Sequence, residues 1–188
     1  KQGIGGLNAA VTEEPGNPAY RLILASEVYE MVISNRSIEP ASKKDLLRQA
    51  ADEVLKARVN YFNVNLCDAL LAMIYFESGR DSEAEELVKK ALAADEINFR
   101  FRMNLARYFL NKGKYDRADE QLAAIEKTGY LGIDLALARA EYYMLKGDYA
   151  ESVKKLDMVL SRDPYNRDAV EMKKQEEEKL KTQLPLNK

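Results

Sequence analysis

The stretch YYMLKGDYAESVKKLDMVLSRDPYN, residues 142–166, places apolar residues three and four apart on both sides of a single glycine. That spacing predicts two helices, a turn at Gly147 and a stop at Asp163-Pro164. The pattern also stands upstream. Gly79, Gly113 and Gly147 follow one another at a constant interval of 34 residues. Seven residues before each glycine lie Ala72, Ala106 and Ala140, and five after it lie Ala84, Ala118 and Ser152. Tyr75, Phe109 and Tyr143 stand four before it, and Val88, Leu122 and Leu156 nine after. Glycine readily takes the left-handed conformation that closes a helix. Small residues on either side of the turn let two helices approach closely, while the aromatic and aliphatic groups fill around the crossing. Ser82 and Glu85 have the spacing of a capping box, which would start the helix after Gly79.

A 34-residue helix–turn–helix unit with small crossing residues, a turn glycine, a following aromatic (Tyr115, Tyr149) and a closing Asp163-Pro164 resembles the tetratricopeptide repeat. The resemblance implies an all-α fold, a right-handed α-solenoid of stacked helix–turn–helix repeats forming one domain with a C-terminal capping helix. Repeats are expected at 65–98, 99–132 and 133–166. Residues 18–64 read as a divergent repeat, with Leu24, Ala25 and Ala50 near its crossing and a long turn over 34–44. Residues 1–17 read as part of a preceding repeat, and 167–188 as a charged capping helix and tail. An opening inside a repeat, without an initial methionine, is what a fragment of a longer protein would show. The chain departs from the family at Asp68, Arg102 and Ala136, where a large aromatic is common. Glu96 and Tyr130 replace the closing proline, and Arg139 replaces the leucine kept as Leu71 and Leu105.

Composition narrows the chemistry. Apolar residues make up 46% of the 188 positions and charged ones 32%, a balance in which an ordinary packed core is expected. The net charge of −2 argues against nucleic acid or an anionic membrane surface as partner. No apolar run approaches the roughly 20 residues that span a bilayer, so membrane insertion by this segment is not expected. The one cysteine, Cys67, cannot form an internal disulfide and reads as a small core residue. Histidine is absent, which removes the commonest general base and metal ligand together. With no glycine-rich phosphate loop either, neither catalysis nor a cofactor or metal is expected. The run Glu176 to Glu178 with its flanking lysines reads as a solvated helix face. The compartment is not determined.

In the tetratricopeptide family the first helices line the inner, concave surface, so the resemblance places a groove by register from each glycine. Tyr29, Phe76, Leu110 and Met144 would form an apolar strip, flanked by Ala69, Met73, Met103 and Leu137. Arg100 and Arg107 would border it beside Asp134 and Glu141. These positions imply a non-catalytic protein–protein interaction scaffold holding a peptide or helix of a partner protein. A competing reading has them pack neighbouring first helices. A second alternative, carried by PGNPAYRLILA, is a soluble C-terminal appendage of a larger membrane-associated assembly protein or glycan polymerase or ligase. Self-association through an unfilled groove also stays open. The family's chaperone-tail clamp is not expected, because only Arg100 and Asn104 could serve it, between Ala69 with Met73 and Asp134 with Ala138.

Overall fold

The computed structural model describes residues 3–35, 37–61 and 63–183, which form ten α-helices and no strand. The chain divides into two compact units, Lys1–Glu96 and Ile97–Lys188. The first holds α1 (Gly3–Glu13), α2 (Pro18–Ser34), α3 (Pro40–Asn60), α4 (Val64–Glu77) and α5 (Asp81–Ala94). The second holds α6 (Phe99–Asn111), α7 (Tyr115–Glu126), α8 (Ile133–Leu145), α9 (Tyr149–Arg162) and α10 (Arg167–Gln183). Within each unit every helix packs against the next, and α6 also meets α8. No helix of the described residues is long and apolar enough to cross a membrane.

Gly79, Gly113 and Gly147 all adopt positive φ, at 74°, 68° and 79°. The hydrogen bonds around them are the same three times over. Arg80, Lys114 and Asp148 donate their backbone N–H to the carbonyls of Tyr75, Phe109 and Tyr143, each at 2.9 Å. The glycine N–H groups reach the carbonyls of Phe76, Leu110 and Met144. This paired bonding satisfies the carbonyls that a helix end would leave bare. The residue after each glycine is at the same time the N-cap of the next helix. The capping box expected at Ser82 and Glu85 is therefore corrected. Ser82 lies inside α5, whose N-cap Arg80 makes no side-chain cap bond.

The small residues sit at the crossings. Ala72, Ala84, Ala106, Ala118, Ala140 and Ser152 are all completely buried. Ser152 Oγ of α9 donates to the Ala140 carbonyl of α8 at 2.9 Å, so the one polar member of the set is satisfied across the helix pair. Ala25 and Ala50 are buried likewise in α2 and α3. The long turn expected over 34–44 is shorter than that. Ser34 ends α2, and Pro40, already suited to a first helical position, opens α3. Most of the extra length lies in the helices, 17 residues in α2 and 21 in α3. Arg36 of that segment, and the tail beyond Gln183, lie outside the described residues.

Three departures from the family pattern, at Asp68, Arg102 and Arg139, have polar partners. Asp68 is buried, and Arg58 of α3 clasps it with Nε 2.6 Å and Nη2 3.2 Å from its two carboxylate oxygens. Arg102 donates to Gln121 Oε1 at 2.8 Å. Buried Arg139 of α8 reaches both oxygens of Glu126 at 2.9 and 2.6 Å and also pairs with Asp119, both on α7. Charge inside a helical stack is tolerated here because it is paired on several sides. Glu176 is different. The expectation of a solvated face fails at this residue, which is completely buried, whereas Glu178 is exposed. Helical periodicity places Glu176 with Ala169 and Met172 on the face of α10 that meets α9. Its Oε2 has no hydrogen-bond partner.

Candidate functional site

Helix periodicity decides which groove positions stay open. In α4 nearly every residue from Cys67 to Phe76 is buried, and in α6 seven residues between Phe101 and Leu110 are. Such helices are enclosed on most sides. The strip foreseen from the sequence is accordingly corrected: Tyr29, Ala69, Met73, Phe76, Met103 and Leu110 are each no more than 6% exposed. They are interior positions of the helices that carry them. Arg100 is exposed on the first turn of α6. Cys67 is fully buried, and burial pushes its thiol pKa up.

Four of the foreseen residues do come together. Arg107 of α6, with Leu137, Glu141 and Met144 of α8, lines a cleft of about 510 Å³ in the second unit. Leu137, Glu141 and Met144 recur at positions i, i+4 and i+7, so one helix face presents all three. The opposite wall is α10, which contributes Asp168, Glu171, Met172 and Gln175. Those four also recur every three or four residues, one stripe of the amphipathic α10. Its companion stripe, Ala169 with Met172, packs on Ala140, Leu156 and Val159. The sequence signal for this wall was present in the spacing of Met172 among charged residues. It is masked by the strong charge of the segment, which resembles a plain solvated helix.

Glu141 stands between Leu137 and Met144 on the α8 face of the cleft. It is half-buried; burial raises its carboxyl pKa, and the nearby Arg107 offsets that only in part. The cleft thus combines apolar side chains with polar and charged ones, a make-up compatible with a recognition site. Among the described residues no group of three or more His, Cys, Asp or Glu side chains is placed to hold a metal ion.

A second feature of this unit was not foreseen. Ile97, Leu131 and Tyr165, in the segments that precede α6, α8 and α10, are 64%, 66% and 90% exposed. They too follow one another at 34-residue intervals. They belong to the turns between repeats and not to the cleft.

No known family model matches the chain, and no curated protein matches its sequence. Solved structures do match. A tetratricopeptide repeat protein from Parabacteroides merdae aligns over 94% of this chain with a TM-score of 0.60 and 16% identity. The chain spans 65% of that protein's length. PilW, a widely conserved type IV pilus biogenesis factor, aligns over 88% of this chain and 86% of its own, with a TM-score of 0.56 and 17% identity. YrrB, described as a tetratricopeptide-repeat protein with an unusual peptide-binding site, aligns over 89% of this chain and 97% of its own, with a TM-score of 0.55 and 18% identity. Identities this low speak to architecture alone, and together with the three identical glycine turns they show that the chain has the tetratricopeptide-repeat fold.

Proposed function

We propose that this chain is a non-catalytic interaction scaffold that holds a segment of another protein in the cleft between α6, α8 and α10. The observation that carries the reading is the cleft itself. It is an open cleft of about 510 Å³, lined by residues of three helices, with Leu137, Met144 and Met172 partly accessible in it. Apolar side chains kept accessible in a concavity gain most from a partner that displaces water from them. Methionine adapts its shape to different side chains, which suits a peptide seat. The fold shared with YrrB, whose peptide-binding site is its noted feature, supports the same reading by analogy.

The test is capture of partners by the immobilised chain, compared with a Met144→Glu variant. Met144 is only partly buried, so the variant is expected to fold as the wild type does by circular dichroism and to lose capture. A folded Met144→Glu protein that captures the same partners in full would refute the assignment. Phe76→Glu, the choice that sequence alone favours, is unsuitable. It would bury a charge at a position 2% exposed and disrupt the fold.

A further inference from the structure

The charge lining the cleft is unbalanced. Glu141 of α8 and Asp168 and Glu171 of α10 present three carboxylates, against the single guanidinium of Arg107. Glu141 is half-buried and accepts no hydrogen bond among the described residues. A carboxylate in that state lacks the donor that would offset its lost hydration. Beside it, Leu137, Met144 and Met172 need an apolar cover. An acidic or phosphate-bearing ligand would meet three like charges here, and a purely apolar one would bury Glu141 without supplying a donor to it.

Resting on the reading of the cleft as a peptide seat, we infer that its occupant is a cationic amphipathic segment of a partner protein. A Lys or Arg of that segment pairs with Glu141, and a neighbouring large apolar side chain lies on Leu137, Met144 and Met172. The capping helix α10 is then part of the recognition surface, because it supplies two of the three carboxylates and one methionine. Its acidic stripe also steers a cationic segment toward the cleft, an attraction that added salt weakens.

The experiment is selection of a phage-displayed library of random dodecapeptides on the full chain. Enriched peptides are then measured by isothermal titration against wild type, Leu137→Ser, and the double variant Glu141→Gln with Glu171→Gln. Peptides rich in Lys or Arg with at least one large apolar residue are expected. Their affinity should fall about tenfold in the double variant and should fall again with added salt. Enriched peptides that are neutral or acidic, or cationic ones indifferent to the double variant, would overturn the charge inference. If those peptides still lose binding in Leu137→Ser, the cleft reading survives that result. Should no enriched peptide respond to Leu137→Ser, both readings fall.

Discussion

Gly113 holds φ at 68°, with nothing within 4 Å of the place a Cβ would occupy. Gly113→Ala therefore meets no steric obstacle, and its cost is backbone strain alone, about 1–2 kcal/mol in urea unfolding. An unchanged midpoint would mean that the turn does not depend on the left-handed conformation. Glu176 leads to the opposite sign. Its Oε2 is buried without a partner, so Glu176→Met, of similar volume, is expected to raise the unfolding free energy by about 1–3 kcal/mol. Glu141 adds a dependence on pH. Burial raises its folded pKa above the unfolded value, so its contribution to stability is full at pH below the unfolded pKa. That contribution is lost as pH rises through the raised folded pKa. Glu141→Gln should thus gain stability relative to wild type near neutrality and lose that advantage near pH 4, as melting curves across this range would show. The turn at Gly113 could be read from spacing, but the burial of Glu176 and the surroundings of Glu141 could not. Arg139 looks like a lost leucine until α7 brings Asp119 and Glu126 to it, and Glu176 looks solvated until α10 turns that face toward α9.

At the scale of elements, the sequence was most legible where a backbone requirement recurs. A glycine that must be left-handed and a small residue that must admit a neighbouring helix leave little choice of residue type, so their period of 34 survives in the chain. Ala106 tests the crossing directly. It is fully buried between α6 and its neighbours, and Ala106→Leu is expected to cost about 1–3 kcal/mol through overpacking. A loss well under that range would mean that the helices do not cross closely there. Helix starts were less legible. Arg80 serves both the end of one bonding pattern and the start of α5, which left the Ser82–Glu85 pair without a capping role. Gly132 caps α8 where Asn98 and Asn166 stand at the matching positions of neighbouring segments. A Cβ there would collide with the Tyr130 ring, which lies tilted at 54° against Phe99 and donates to Asp134 at 2.9 Å. A capping side chain at this position would require the Tyr130 ring to move.

For the molecule as a whole, the resemblance offers faces of the first helices as candidates but does not say which of them remain open. Register from the glycine treats Met73, Arg107 and Glu141 as equivalent, yet Met73 is buried while the other two line a cleft. The difference comes from packing around each helix, which a one-dimensional period does not encode. The wall supplied by α10 was missed because its charge outweighs its few apolar positions in any linear reading. The most direct test of the account is a crystal structure of the chain with a peptide enriched by the selection. The account predicts peptide density between α6, α8 and α10, with a basic side chain at Glu141 and an apolar one on Leu137 and Met144. Density seated elsewhere, with that cleft open, would contradict it.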